Sequence, residues 1–170
     1  MSRRLVAAGV VAGVAALLAP VALRLPTALI WNATASAPIG LYRVHDDRPL
    51  AVGDWVAAWP PDDMRLLFSE RRYLPSGVPL VKQVAALAPQ RVCRFGARVT
   101  VDQRAVARAL VEDRLGRVLP VWSGCRRLQP GEIFLLNAAP DSLDGRYFGP
   151  TFRRDIIGRL TPLWIGGASR

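Results

Sequence analysis

Short apolar runs, separated by Pro, Gly and Asp, make up most of the chain from Leu25 onward. Runs of this kind predict strands, and the residues between them predict turns. The predicted strands are Ile39–Val44, Asp54–Trp59, Leu80–Leu87, Val99–Val101 and Glu132–Leu136. One stretch, Met64–Arg72, has helical spacing, with Asp62 or Asp63 available as its N-cap. The pattern predicts a mainly β domain of barrel-like or sandwich-like form.

Two further signals lie between Cys93 and Cys125. A hairpin is predicted over Val101–Ala107, and a turn is predicted over Asp113–Gly116. We expect this segment, residues 93–125, to form a small subdomain inserted into the β domain.

The N-terminus has a different pattern. Nineteen residues, Leu5–Leu23, carry no charged side chain, and Arg residues flank them on both sides. A helix of that length is about 28 Å long, close to the hydrocarbon thickness of a bilayer. A cleaved signal peptide is the alternative, but no small-x-small site follows the run directly. We predict a single transmembrane anchor over residues 1–24, in contact with membrane lipid, and a globular domain over residues 25–170. Arg3 and Arg4 favour a cytoplasmic N-terminus, which places that domain outside the cytoplasmic membrane.

Composition and charge change this picture little. Half of the residues are hydrophobic, which is enough for a buried core. The net charge is +10, and Arg supplies 22 of the 23 basic residues. A GC-rich genome explains such an excess, as does attraction to anionic lipid or nucleic acid. No zinc-finger, RNA-binding or helix-turn-helix pattern accompanies the charge, so no nucleic-acid partner is predicted.

Cys93 and Cys125 are the two cysteines of the chain, and His45 is its one histidine. They are too few for a four-ligand zinc site, and no carboxylates stand at a supporting spacing. No metal and no cofactor are therefore predicted. The two thiols either pair, which requires an oxidising compartment, or stay separate and buried.

A hydrolytic nucleophile needs a base, and the chain offers two candidates. His45 stands beside Asp46 and Asp47, where a solvated surface histidine is expected, and no GxSxG motif accompanies it. Lys82 is the only lysine of the chain. A lysine acts as a base when burial lowers its pKa from about 10.4, whereas an arginine stays protonated.

The position of Lys82 within an apolar strand supports its burial. Strand alternation puts Lys82 on the same face as Leu80, Val84 and Ala86. A chance lysine on an edge strand is the alternative. Among the serines, Ser36 stands out because small residues surround it and leave space for a substrate backbone.

Four segments, in order, resemble the sequence boxes of the type I signal peptidase family, and specifically its conjugative-transfer (TraF-type) branch. They are Asn32–Tyr42, Val52–Val56, Leu80–Val84 and Asn137–Gly149. The resemblance implies that Ser36 is the nucleophile and Lys82 the general base. The supporting residues that it implies are Thr34 with the Ser36 N–H for the oxyanion, Ser142 to orient the lysine, and Asp144 with Arg146 as an ion pair.

The resemblance also implies a function and a location. The expected activity is serine endopeptidase cleavage of the precursor segment of an exported protein, in particular maturation, and possible cyclisation, of a conjugative pilin. The expected location is the bacterial inner membrane, with the catalytic domain in the periplasm. It also implies a Cys93–Cys125 disulfide. Shallow pockets at residues 33–37 are expected to hold small substrate side chains.

Two positions depart from the family pattern. Ala37 stands where methionine is frequent, which alters packing next to the nucleophile, and Gly145 replaces a frequent serine, which predicts a looser segment. Three alternative functions stay open. They are a housekeeping signal peptidase, a non-catalytic assembly factor anchored in the membrane, and a self-cleaving repressor, which the anchor disfavours.

Overall fold

The computed structural model describes residues 3–22, 28–45 and 49–166, whose strands form two antiparallel sheets. The larger sheet contains, in spatial order, β1 (Leu29–Asn32), β2 (Gly40–His45), β11 (Ile156–Ile165), β3 (Trp55–Ala58), β4 (Leu80–Leu87), β9 (Glu132–Leu136) and β10 (Thr151–Phe152). The smaller sheet contains β7 (Arg104–Arg108), β6 (Arg98–Val101), β5 (Arg91–Phe95) and β8 (Gly124–Arg127). The helices are α1 (Arg3–Ala22), α2 (Asp62–Glu70) and α3 (Gly145–Phe148), with a 3-10 turn at Arg153–Asp155.

The mainly β class is confirmed, and each of the five predicted strands is present within one or two residues. The larger sheet is open in the described part of the chain, because β1 and β10 each pair with only one neighbour. Register shifts along β11 and between β4 and β9 bend the sheet. It is therefore a curled sheet rather than a closed barrel.

The predicted helix is confirmed, but its predicted cap is wrong. The N-cap of α2 is Pro61, which makes no side-chain cap bond, and Asp62 and Asp63 lie in the first helical turn. Carboxylates in that turn stabilise the helix by their favourable interaction with its dipole, without capping its N-terminus.

β11 is the longest strand, lies inside the larger sheet, and was not predicted from the sequence pattern. It pairs with β2 on one side and β3 on the other, so it joins the beginning of the domain to its end. Gly158 and Pro162 interrupt its apolar alternation and resemble turn residues in the sequence. A Cβ at Gly158 would lie 2.6 Å from Val44 Cγ1, so glycine is what permits β11 to approach β2.

Both faces of the larger sheet are apolar. One face carries a core cluster that includes Ile30, Tyr42, Val81 and Leu160. The opposite face carries Val56, Val84, Leu135 and Ile156, among others. A further cluster joins the larger sheet to the smaller one through Ala86, Val92, Val99, Leu128 and Phe134. The two sheets are therefore packed against each other through a continuous apolar contact.

The smaller sheet occupies the middle of the chain and contains the predicted hairpin and a disulfide. Asp102 and Gln103, at the tip of the β6–β7 hairpin, both have positive φ, as its tight turn requires. Cys93 on β5 stands opposite Cys125 on β8, and the two form a disulfide. The division of the chain into an anchor, a domain and an inserted subdomain stays a prediction.

Met1, Ser2, Leu23 and Arg24 of the predicted anchor (residues 1–24) lie outside the described residues. Residues 3–22 of the predicted anchor form α1. Within the described part of the chain, no helix combines the length and apolarity needed to cross a membrane. The transmembrane anchor is therefore not confirmed and stays a prediction.

Candidate active site

Ser36 lies in the turn between β1 and β2, and the side chain of Asn32 organises that turn. Asn32 is buried at the end of β1, and its amide nitrogen lies 3.0–3.1 Å from the carbonyl oxygens of Thr34, Ala37 and Pro38. Tyr42 Oη donates a second hydrogen bond, of 2.6 Å, to the Pro38 carbonyl. These bonds fix the backbone on both sides of Ser36, so its hydroxyl is held at the mouth of a groove.

The Thr34 hydroxyl lies beside Ser36, but its proton is already donated to Asn32. Thr34 Oγ1 donates to Asn32 Oδ1 at 2.8 Å and lies 3.4 Å from Ser36 Oγ. A hydroxyl has one proton to donate, so this rotamer does not aim it at a substrate oxygen. An oxyanion role for Thr34 requires the hydroxyl to rotate away from Asn32 when substrate binds.

Lys82 is buried on β4, with 3% of its surface exposed. Its ammonium Nζ donates to Ser142 Oγ at 2.7 Å. Burial lowers the Lys82 pKa to about 8, while the negative charge of Asp144 opposes the shift and the positive charge of Arg146 adds to it. Leu80, Val84 and Ala86 are also buried, in agreement with the face that strand alternation predicted.

Asp144 and Arg146 form a buried network behind Lys82. Asp144 Oδ1 lies 3.5 Å from Arg146 Nε, and this carboxylate also accepts the backbone N–H groups of Asn137 and Arg146. The Arg146 guanidinium donates to the carbonyls of Ala139, Pro140 and Asn137. Burial raises the Asp144 pKa, against the opposing effects of Lys82, Arg146 and the two N–H donors. The network closes the loop that carries Ser142.

Asn137 connects this network to Ser36. Its side-chain amide donates to the Val81 carbonyl at 3.0 Å and reaches Ser36 Oγ at 3.5 Å. Its Oδ1 accepts the Gln83 N–H at 3.2 Å. Asn137 therefore binds the backbone on both sides of Lys82 while touching Ser36.

Ser36 and Lys82 line one groove of about 940 Å³. Its lining includes β1 with the turn after it (residues 29–36), the segment that leads into β4 (residues 77–82), and residues 141–143. No hydrogen bond joins Lys82 Nζ to Ser36 Oγ among the described residues. The structure thus brings all six predicted site residues to one region and leaves Ser36 and Lys82 without a hydrogen bond between them.

Gly145 has the opposite effect from the one expected. A Cβ there would lie 2.7 Å from Phe134 Cε2 and 2.8 Å from the Leu135 carbonyl oxygen. Only glycine permits α3 to pack this closely on β9, so the segment is tight rather than loose. Ala37 is buried and packs among Ile30 and Tyr42, which places it in the core behind the turn that contains Ser36.

Sequence reasoning gave no role to Asn32 and Asn137, although both begin segments of the family resemblance. Asn32 is the last residue of β1 and Asn137 directly follows β9, and both are buried, so their polar side chains must find partners. For Asn137 the position after a predicted strand was a signal in the sequence, whereas β1 was not predicted. The partners are mostly backbone groups that no motif encodes.

His45 plays no part in this site. It ends β2, is half-buried, and its Nε2 lies 2.9 Å from Thr161 Oγ1. The expectation of a fully solvated His45 side chain was wrong, because β11 covers part of the side chain. Asp46 and Asp47 lie outside the described residues. In the portion of the chain described, no group of His, Cys, Asp and Glu could hold a metal ion.

Comparison with known proteins identifies the class. The family model of signal peptidase, peptidase S26, matches residues 2–164. The conjugal transfer protein TraF of Agrobacterium fabrum is 36% identical over 145 residues, which is 78% of this chain and 80% of that protein. A plasmid transfer protein TraF of Escherichia coli is 32% identical and covers 95% of this chain and 96% of its own length. The chain belongs to the signal peptidase family.

A solved structure also resembles the chain. A signal peptidase I from Enterococcus faecalis covers 69% of this chain and all of its own, with 18% sequence identity and a TM-score of 0.38. The assignment to the family rests on the sequence matches.

Proposed function

We propose that this protein is a serine endopeptidase that cleaves the precursor segment of an exported protein, with Ser36 as nucleophile and Lys82 as general base. The observation that carries the proposal is the state of Lys82. It is the only lysine of the chain, it is buried in the groove that contains Ser36, and its pKa is lowered to about 8. About one tenth of such a lysine is neutral at pH 7, compared with less than a thousandth for a solvated one.

The proposed reaction begins when Ser36 Oγ attacks a peptide carbonyl and Lys82 Nζ takes its proton. The negative charge that forms on the carbonyl oxygen is bound by the Ser36 N–H and the rotated Thr34 hydroxyl. The protonated lysine then gives its proton to the departing amine, which leaves an ester on Ser36. A second nucleophile, water or an amine of the substrate, releases the product after Lys82 deprotonates it.

Direct contact between Lys82 and Ser36 is required for the first step. Catalytic hydrogen bonds are often long in enzymes without substrate and tighten when it binds. Ser142 accepts from the lysine ammonium, and Asn137 reaches the serine hydroxyl, so each partner is held in place beforehand. Substrate binding needs only to bring the two side chains together.

The groove suits an extended peptide. Leu80, Val81 and Lys82 pair with β3 on one side, whereas the pairing of β4 with β9 begins only at Gln83. Within the described residues, no strand pairs with the other edge of these three residues, where the Val81 carbonyl accepts from the Asn137 amide and the Val81 N–H faces the same way. A substrate strand that adds to the sheet there would bond this N–H and lie next to Asn137. The small side chains at residues 33–37 suit a substrate with small residues near the cut.

The relatives narrow the substrate class. Their names place them in conjugal and plasmid transfer. We infer that the substrate is the precursor of a conjugative pilin, released as a linear or cyclic product. We place the enzyme in the bacterial inner membrane with its catalytic domain in the periplasm, anchored by its N-terminal helix, and the disulfide supports an oxidising compartment.

Processing of candidate prepilins by the purified protein tests the proposal. We expect the wild-type protein and Ser69→Ala, which changes an exposed serine on α2, to cleave the precursor. Ser36→Ala and Lys82→Arg should each lose at least about a thousandfold in rate, because one removes the nucleophile and the other replaces a base that can become neutral by one that cannot. Intact mass distinguishes hydrolysis, which adds one water to the product, from cyclisation, which adds none.

Normal processing by either Ser36→Ala or Lys82→Arg would refute the proposed pair. Normal conjugation by both variants in cells would instead show an assembly factor that needs no catalysis. Rescue of bulk protein export in a strain that lacks its own signal peptidase would indicate a housekeeping enzyme.

A further inference from the structure

A second cavity, of about 360 Å³, lies beside α2 and opens into the Ser36–Lys82 groove. We call it the α2 pocket. Its lining comes from the chain after β3 (Trp59 and Pro60), from α2 (Arg65 and Phe68), and from the loop before β4 (residues 74–78). The two cavities share Trp59, Phe68, Leu74, Pro75, Gly77 and Val78, so they form one continuous surface.

The walls of the α2 pocket are apolar and held in place. Phe68 is buried, and its ring contacts Tyr73 edge-on at 6.1 Å and Phe148 at 6.4 Å. The Arg65 guanidinium is held at the pocket by a 3.0 Å bond from its Nε to the Pro60 carbonyl and by an ion pair with Asp62. The pocket therefore presents fixed hydrophobic surface to solvent, which is the property of a binding site for an apolar group.

The distance from Lys82 indicates which part of a substrate the pocket meets. Val78 precedes Lys82 by four residues, which span at most about 13 Å of extended chain. A substrate strand that lies along Leu80–Lys82 would continue toward Val78 and reach the pocket with a side chain about four residues from the cut. The pocket is thus separate from the residues that surround the scissile bond.

We propose that the α2 pocket is a specificity subsite that binds one large apolar or aromatic side chain of the precursor, three to six residues from the cleaved bond. The proposal rests on the proposed peptidase function. An aromatic side chain buried there gains both area and contact with the Trp59 and Phe68 rings. An acidic or small residue at the same substrate position would gain little.

Ser76→Trp is the variant that isolates this pocket. Ser76 lines the α2 pocket but not the Ser36–Lys82 groove, and its exposed position tolerates a larger side chain. The indole would fill the cavity while leaving the catalytic residues untouched. Glu70→Trp is the matched control, because it adds the same side chain to an exposed position of α2 outside both cavities.

The test uses two sets of synthetic precursor peptides. Long peptides carry Trp, Leu, Ala or Asp at each position three to six residues on either side of the cut, and short peptides end two residues from the cut on both sides. We expect one position at which Trp or Leu raises kcat/KM by at least about tenfold over Ala and Asp in the wild-type enzyme and in Glu70→Trp. Ser76→Trp should abolish that preference and cleave the short peptides at the wild-type rate.

The outcomes separate the subsite from the activity. If the wild-type enzyme cleaves none of the peptides, nor the intact precursor, the peptidase function fails and the subsite fails with it. If the long and the short peptides are both cleaved, but Ser76→Trp removes no preference for Trp or Leu at any position, the peptidase function stands and the subsite is refuted. An equal loss for long and short peptides in Ser76→Trp would also refute it, since that loss would originate in the catalytic residues.

Discussion

Lys82 is subject to two opposing demands. Burial removes water from its ammonium and favours the neutral amine, while Asp144 behind it favours the charged form. Desolvation is the largest effect, and the positive charge of Arg146 adds to it. The side chain is thereby prepared to accept a proton near neutral pH, and burying it in this way costs stability.

That cost can be measured with Lys82→Met, which has similar length and no charge. The folded-state pKa of about 8 lies below the unfolded value of 10.5, so the unfolded chain binds more protons between these values and stability rises with pH there. Removing the amine should therefore stabilise the protein by roughly 3 kcal/mol at pH 7 and by only about 1 kcal/mol at pH 10. Denaturant unfolding of both proteins at the two pH values gives the difference. A gain that is equal at both pH values would mean that the Lys82 pKa is unshifted.

At the scale of elements, α3 connects the proposed catalytic site to the smaller sheet. Arg94 on β5 is buried and donates to the carbonyls of Gly96, Pro120 and Arg146, and it lies over the Tyr147 ring at 5.7 Å. Burial lowers its pKa, and the carbonyl groups replace part of its lost hydration. A residue beside the disulfide thus holds the backbone of the helix that carries the Asp144–Arg146 pair.

We expect Arg94→Met to lower kcat by at least about tenfold, with KM nearly unchanged, because α3 loses a bond that positions Arg146. The unfolding free energy should change by less than about 2 kcal/mol, because two effects oppose each other. Loss of the Arg94 hydrogen bonds destabilises the protein, whereas a methionine no longer requires a charged group to be buried, which stabilises it. Arg98→Met, at an exposed position on the adjacent strand β6, is the control. A wild-type kcat in Arg94→Met would show that Arg94 does not position the catalytic residues.

The elements also show what a sequence can predict. Strands that form one apolar run between turn residues, such as Leu80–Leu87, were predicted to the residue, because such a run and its flanking prolines can be recognised without the rest of the fold. β11 was missed because Gly158 and Pro162 resemble turn residues in the sequence, and the need for glycine at 158 is visible only when β2 lies beside it. The tight packing at Gly145 was missed because it depends on contact with Phe134 of β9. The six site residues came from ordered motifs, whereas Asn32 and Asn137 act through backbone carbonyls that only the fold brings within reach.

At the scale of the whole molecule, the curled sheet brings close in space the proposed catalytic residues, which are far apart in sequence. The turn with Ser36 follows the edge strand β1, Lys82 lies on the interior strand β4, and the Asp144–Arg146 network follows β9. The smaller sheet packs against this framework through α3 and the shared apolar cluster. The groove between these parts is the functional centre of the molecule in our account.

The most direct test of that account is the titration of Lys82 itself. Because the chain contains one lysine, protein grown with isotope-labelled lysine gives one side-chain NMR signal that requires no assignment. We expect this signal to titrate with a midpoint of about 8 in the wild-type protein and in Ser36→Ala. A midpoint near the ordinary value of about 10.4 would show that Lys82 is a charged residue at neutral pH and would contradict its role as the base.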